Sequence, residues 1–161
     1  MQGECKAFQV ILNLNTRLFR NCLIDIDDVT AMKRMDDNTN PPAFIASHVL
    51  DARFFIAKKL KIDAVNPFDK ILTDIQTIRD VKSLPPVREI LKVREVVAQE
   101  IERKFVTITK SELYVSVSFN FPVDDKTLSG GIAFLLQHES YHIGQMAFLR
   151  RQLGLPAMSY K

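Results

Sequence analysis

Hydrophobic residues recur at every third or fourth position in four long stretches of the chain, which is the period of an amphipathic helix. The four stretches are residues 7–24, 41–61, 87–107 and 127–154. The last of them begins at either Thr127 or Ser129. Shorter helical segments are expected within residues 25–35 and 68–78. The pattern therefore predicts four principal helices.

Residues that favour helix ends stand at the borders of these stretches. Asn40 followed by Pro41 indicates an N-cap and a first helical position for the second helix. Gly154 and Pro156 are a normal exit signal for the fourth helix. These borders support the helical assignment independently of the hydrophobic period.

Residues 113–121 follow a different period, because apolar and polar side chains alternate strictly there. The apolar positions are Leu113, Val115, Val117, Phe119 and Phe121. Period two predicts an extended segment with one buried face. Since a lone strand needs a partner, this segment forms either part of a small hairpin or a pairing edge between two subunits.

The connection between the second and third predicted helices, residues 62–86, is the least regular part of the chain. Its helix breakers are Asn66, Pro67, Pro85 and Pro86. At about 3.3 Å per extended residue it can run the length of a bundle and return the third helix parallel to the second. We therefore expect an all-α fold, a four-helix bundle with one long crossover connection. The 161 residues, 47% of them hydrophobic, are expected to form a single domain over residues 1–161.

Charge and composition argue against several classes of function. The net charge of +3 comes from 22 basic and 19 acidic residues spread along the chain, so nucleic-acid binding is not expected. No apolar run approaches the roughly 20 residues that a membrane span needs. Glu4 and Lys6 lie where a secretory signal would be apolar, and two cysteines do not make a disulfide framework. A cytoplasmic protein with Cys5 and Cys22 as buried thiols is the expectation.

All three histidines of the chain lie on predicted apolar helix faces. His138 and His142 are spaced HxxxH in the fourth helix, so both rings project from one side of it. His48 lies on the apolar stripe of the second helix. Three neutral nitrogen donors would leave a coordination position open, as in catalytic zinc sites. The competing interpretation is that His48 is a hydrogen-bonded core histidine and that HxxxH arose by chance.

The run HESYHIGQMAFLRRQLGLP, residues 138–156, resembles the carboxyl-terminal signature of the DinB superfamily, the DinB/YfiT-like metalloproteins. His48 falls where that family places its first histidine, and the HxGQ continuation occupies residues 142–145. The resemblance spans nearly the whole chain. It implies a four-helix bundle with one long crossover, a metal triad of His48, His138 and His142, and frequent homodimerisation.

Members of that family with an assigned activity include thiol-dependent transferases and isomerases. The resemblance therefore implies a divalent metal ion, a small-molecule substrate and a low-molecular-weight thiol as co-substrate. The family name derives from DNA-damage induction and is not evidence of DNA binding. Imidazole suits zinc, nickel, iron and copper alike, so the histidines leave the metal open, with zinc, nickel and iron as the main candidates.

Two further residues are candidates for catalysis. Asp51, one turn beyond His48, could accept a proton from activated water or orient the metal ligands. The competing interpretation is a solvated helix residue or a salt-bridge partner. Gln145, three residues after His142, could hold a metal-bound species by a hydrogen bond. Of the other residues near the HxxxH pair, Glu139 is expected to point to solvent and Tyr141 to pack at an interhelical boundary.

Two functions follow from these observations. In the first, the protein is a metal-dependent transferase or hydrolase that acts on a small electrophile with a thiol or water as nucleophile. In the second, it is a non-catalytic stress or accessory protein whose ion ties two helices together. An enzyme needs an accessible cleft at an open coordination position, whereas a structural site is closed by a fourth protein ligand.

Overall fold

The structure, a computed structural model, describes residues 5–73, 75, 81, 83–118 and 121–161. Over these ranges the fold is all-helical, as expected, with seven helices. They are α1 Lys6–Leu23, α2 Asp28–Ala31, α3 Pro42–Lys59, α4 Asp69–Thr73, α5 Val87–Thr107, α6 Lys110–Leu113 and α7 Leu128–Gln152. The four long ones, α1, α3, α5 and α7, lie within two residues of the predicted helices at either end.

The start of α3 differs by one residue from the prediction. Pro41 and not Asn40 is the N-cap, and the helix begins without a side-chain capping hydrogen bond. A residue that precedes proline is disfavoured in the helical region, so Pro41 stays extended and Pro42 becomes the first helical residue. The Asn40 side chain is therefore not used in capping.

The ends of α7 follow the predicted signals. The Thr127 side chain accepts a hydrogen bond from the Gly130 N–H and caps the helix. At the other end Gly154 adopts a φ of +80°, a conformation that glycine reaches without a steric penalty. The N–H of Leu155 then turns back to donate to the Arg150 carbonyl. Both boundaries of the helix thus have a local cause.

The strand predicted for residues 113–121 is wrong at its beginning. Leu113 is the last residue of α6, which starts at a capping box. In this box the Thr109 hydroxyl accepts from the Glu112 N–H, and the Glu112 carboxylate accepts from the Thr109 N–H. Two satisfied backbone donors favour a helical turn there over the extended form that the alternation predicted.

The remainder of that segment makes one antiparallel bridge, between Ser116 and Thr127. The Val117 N–H donates to the Lys126 carbonyl at 2.8 Å. Residues 119 and 120, which belong to the predicted strand, lie outside the described part. The observed pairing is thus a minimal hairpin contact within the chain, which is one of the two expected alternatives.

Two of the three short helices, α2 and α4, lie where shorter segments were expected. In α2 the Asp27 carboxylate accepts a hydrogen bond from the Thr30 N–H at 2.7 Å, which caps the first turn. The helix α4 covers the beginning of the predicted segment 68–78. Residues 74 and 76–78 of that prediction fall outside the described ranges.

The four long helices surround one hydrophobic core. Each of α1 and α3 packs against both α5 and α7. The interior contains fully buried side chains from every long helix, including Leu12, Leu50, Ile101 and Leu136. Cys5 and Cys22 are buried, as predicted, and burial raises the pKa of Cys22 to about 12. Among the described helices, none has the length and apolar character that crossing a bilayer requires.

Candidate metal centre

The three histidines meet between α3 and α7. The Nε2 atom of His138 lies 3.3 Å from Nε2 of His48 and 3.0 Å from Nε2 of His142. One ligand nitrogen from each ring lies within 4.8 Å of the other two. The α3 helix presents His48, and one turn of α7 presents the other two rings on a single face. The convergence predicted from the sequence is therefore present.

The spacing of these nitrogens suits a small divalent cation. Two nitrogens bound about 2.0–2.1 Å from one ion at the tetrahedral angle lie roughly 3.3 Å apart. The two shorter separations in the cluster, 3.0 and 3.3 Å, agree with this value. Two of the three nitrogen pairs thus have the spacing expected of ligands to one metal ion, and all three lie within 4.8 Å of one another.

The surroundings of the cluster favour neutral imidazole rings. Burial lowers the pKa of His48 below its usual 6.5, and repulsion from His142 lowers it further. Burial also lowers the pKa of His138, with added repulsion from His142 and His48. Because only a neutral ring can donate a lone pair to a metal, the lowered pKa values keep these ligands competent at neutral pH.

Gln145 orients His142. The Nδ1 atom of His142 lies 2.7 Å from Oε1 of Gln145, and donation to this oxygen leaves the Nε2 lone pair facing the other two rings. The Gln145 amide in turn donates to the Tyr141 hydroxyl at 3.0 Å. Gln145 therefore contacts the His142 ring on the side opposite its Nε2 atom.

Tyr141 does not pack between helices, contrary to the expectation. Its side chain is 57% exposed and its ring lies 5.1 Å from that of His142 in an edge-on arrangement. The hydrogen bond from Gln145 holds the phenol at the surface. The chain Tyr141–Gln145–His142 thus connects the protein surface to the histidine cluster.

His138 is oriented by packing. Its Nδ1 atom is buried and has no hydrogen-bond partner among the residues that the structure describes. The ring stacks on Phe134 with centroids 6.0 Å apart and planes inclined by 26°. Stacking therefore fixes a ring that lacks the orienting hydrogen bond found at His142.

Asp51 lies beside the cluster without touching it. The carboxylate is exposed, and it accepts a hydrogen bond from the Asn66 side chain at 3.3 Å. Asp51 and His48 both border a cavity of about 170 Å³, together with Phe44, Leu72 and Ile75. The structure thus places this candidate at the opening next to one ligand.

Glu139 is fully buried, so the expectation that it points to solvent is wrong. Its Oε1 atom accepts from Nε of Arg53 at 2.5 Å and from Nη1 of Arg94 at 3.2 Å. Oε2 accepts from Nη2 of Arg53 at 2.6 Å and from the Asn15 amide at 3.3 Å. We call Arg53, Arg94 and Glu139 the ion cluster. The three groups and Asn15 come from α3, α5, α7 and α1, so the cluster joins all four long helices.

The charges of the ion cluster stabilise one another. Burial alone raises the pKa of Glu139, but the two guanidinium groups outweigh burial and hold the pKa at about 2. Burial and the charge of Arg53 lower the pKa of Arg94 to about 10. One sequence signal for this burial existed: Glu139 lies three or four residues from Leu135, Leu136 and Ile143 on the apolar face.

No protein-family model matches this sequence, and the comparison with curated proteins finds no match. The assignment of the metal centre therefore depends on the residues and their geometry. Three histidines from two helices lie close enough to hold one metal ion.

Proposed function

We propose that the chain is a DinB-like metalloenzyme that acts on a small electrophile. It either transfers a thiol to the electrophile or hydrolyses the electrophile. The observation that carries this proposal is the convergence of the Nε2 atoms of His48, His138 and His142. The ion would be zinc, nickel or iron, and the co-substrate a low-molecular-weight thiol. The thiol co-substrate and the membership of the DinB family are proposed from the sequence resemblance.

The arrangement of the long helices supports a four-helix bundle. Helices α1 and α3 both pack on α5 and α7 around one core, and residues 60–86 connect α3 to α5. A connection of this length is what a crossover in such a bundle requires. We further propose a homodimer, following the resemblance.

The three imidazoles favour reaction with an anionic nucleophile. Neutral ligands add no negative charge, so they leave the full charge of a divalent cation uncompensated. A bound divalent ion would supply Lewis acidity, which lowers the pKa of a water or a thiol. Gln145 keeps the His142 ring in the orientation that the site needs, and the cavity beside His48 gives small molecules a path to it. Asp51 borders the same cavity and can accept a proton there.

One feature favours an enzyme over a structural metal site. A structural zinc site is closed by a fourth protein ligand, whereas a catalytic site has three protein ligands and an open position. Within the described ranges, the ligand group contains the three histidines and no fourth side chain. The non-catalytic alternative, in which the ion ties α3 to α7, needs a ligand beyond these.

The proposal is tested by screening small electrophiles against a panel of low-molecular-weight thiols. The metal-loaded protein, the metal-stripped protein and the His48→Ala variant are compared. We expect turnover that requires metal, that is lost in His48→Ala, and that needs a thiol for transfer or only water for hydrolysis. Turnover that survives metal removal would contradict the mechanism, and tight metal binding without turnover would favour the structural alternative.

A further inference from the structure

A cavity of about 590 Å³ lies between the loop at residues 38–40, α3 and α7. None of the three histidines lines it, although Gln145, which does, lies 2.7 Å from Nδ1 of His142. Its volume is within the roughly 300–1,000 Å³ that small-molecule sites occupy. The metal centre therefore does not account for this cavity.

The lining of the cavity is mixed and uncharged. Its apolar wall consists of Ile45, Leu149 and two aromatic side chains, Tyr141 and Phe148. These aromatics are 57% and 64% exposed, which is unusual for side chains of their size. None of the described residues that border the cavity carries a formal charge. A charged ligand would lose hydration here without gaining a counter-charge.

Asparagine side chains form the polar end. Asn38 and Asn40 both line the cavity, and their side-chain amides have no hydrogen-bond partner within the described ranges, although the Asn38 backbone N–H donates to the Asp36 carboxylate. Asn40 lies next to a helix start that it does not cap, since Pro41 takes that position. Its donor and acceptor are therefore available to a ligand.

Gly144 borders the cavity from the middle of α7. A Cβ atom built at this position meets nothing within 4 Å, whereas at Gly130 it would meet the Asp125 carbonyl at 2.2 Å. Packing therefore explains the glycine at 130 but not the one at 144. A glycine inside a helix is destabilising relative to alanine. The missing side chain at 144 keeps the cavity open up to the helix backbone.

We infer that this cavity binds an uncharged small molecule with a flat apolar part and a hydrogen-bonding group at one end. The flat part lies against Tyr141 and Phe148 above Gly144, and the polar group faces Asn38 and Asn40. This inference goes beyond the proposed reaction and does not depend on it.

Occupancy of the cavity acts on the metal centre through one hydrogen-bonded chain. Tyr141 and Gln145 both line the cavity, and Gln145 holds Nδ1 of His142. A ligand that displaces the Tyr141 hydroxyl changes the partner of the Gln145 amide. The His142 ring signals are therefore expected to shift when the cavity fills.

The test compares three probes that share a ring and differ in charge: benzamide, benzoate and benzylamine. Binding to the full chain is measured by protein-observed nuclear magnetic resonance titration, with and without metal. Benzamide is expected to bind with a Kd on the order of 1 mM, as suits its size, and each charged probe at least fivefold more weakly. Binding is expected to persist in His48→Ala, which separates this site from the metal centre.

One substitution that fills the cavity and one control substitution outside it test the site. Gly144→Leu places a side chain in open space and improves helix propensity, so it is expected to fold and to lose benzamide binding at least tenfold. Ala133→Leu, at an exposed position of the same helix, is expected to retain binding. Absence of benzamide binding, binding unchanged by Gly144→Leu, or preference for a charged probe would overturn the inference. So would a dimer that Gly144→Leu dissociates while probe binding stays unchanged, because a second copy would then be the occupant.

Discussion

His138 and Glu139 are adjacent in sequence, yet they belong to two clusters with opposite properties. The ion cluster is buried, with Glu139 and Arg53 at 0% and Arg94 at 1% exposure, and its carboxylate accepts hydrogen bonds on both oxygens. The histidine cluster reaches the surface, and partial burial together with repulsion between the rings lowers the pKa values of His48 and His138. Both clusters connect α3 to α7.

The difference between the two clusters indicates that one stabilises the fold and the other binds a ligand. In the ion cluster both guanidinium groups pair with the Glu139 carboxylate inside the protein, so the carboxylate needs no further molecule. In the histidine cluster the Nε2 atoms face one another, and neutral rings offer lone pairs that a cation can satisfy. The ion cluster should therefore govern unfolding, and the histidine cluster should govern metal binding.

The largest expected effect comes from Glu139→Gln. This change leaves the Arg53 and Arg94 charges buried without a counter-charge, which typically costs about 3–5 kcal/mol. We expect the free energy of unfolding, measured by urea titration with circular dichroism, to fall by that amount. The folded fraction should still bind metal within about tenfold of the unchanged protein.

The control for Glu139→Gln is the same substitution at Glu100, which pairs with Arg103 on the surface. Exposed pairs of this kind contribute about 0–1 kcal/mol. A loss at Glu139 no larger than the loss at Glu100 would show that the ion cluster does not stabilise the fold.

Acid should weaken the ion cluster without any substitution. The pKa of Glu139 is about 2 in the folded protein against an ordinary 4.5, so its contribution is complete above about pH 4.5. That contribution is lost as the pH falls through this interval toward 2. We expect the free energy of unfolding to decline more steeply in the unchanged protein than in Glu139→Gln. Parallel curves for the two proteins would argue against the lowered pKa.

His142→Ala should show the reverse behaviour. Removing one of three ligands is expected to weaken metal binding by more than about 100-fold. This loss exceeds the one that typically follows mutation of a residue that hydrogen-bonds a metal ligand. The metal-free protein should unfold within about 1 kcal/mol of the unchanged chain, since His142 is half-buried and carries no structural ion pair. Calorimetric metal titration and urea unfolding measure the two quantities. A variant that loses stability but retains metal would reverse the assigned roles.

A smaller loss is expected for Gln145→Ala. The amide orients the His142 ring, and loss of such a partner typically weakens metal binding by about 10–100-fold. Gln137→Ala, at an exposed position of the same helix, is the matched control and should leave affinity unchanged. Equal affinities for the two variants would remove Gln145 from the site.

Local signals predicted most of the fold, and the reason is physical. The hydrophobic stripes of α1, α3, α5 and α7 and the glycine exit of α7 depend on neighbours within a few residues along the chain. The helix face on which each histidine lies could be predicted for the same reason, since the helical period determines it. The prediction for the segment 113–121 is wrong at its beginning because a capping box at Thr109 and Glu112 outweighs the alternating pattern there.

Glu139 was misplaced because its burial depends on distant partners. Arg53 and Arg94 lie 86 and 45 residues away in sequence, and neither is identifiable as a partner before the helices are packed. A carboxylate on an apolar face is normally expensive to bury, so solvent exposure was the reasonable expectation. Glu139 is buried instead because it pairs with Arg53 and Arg94 in the folded protein.

The central claim is that three imidazoles from two separate helices bind one metal ion. X-ray absorption spectroscopy of the zinc-loaded chain counts the imidazoles that coordinate the ion directly. We expect three in the unchanged protein and two in His48→Ala, where α3 no longer contributes a ligand. Fewer than three in the unchanged protein, or a spectrum that His48→Ala leaves the same, would contradict it.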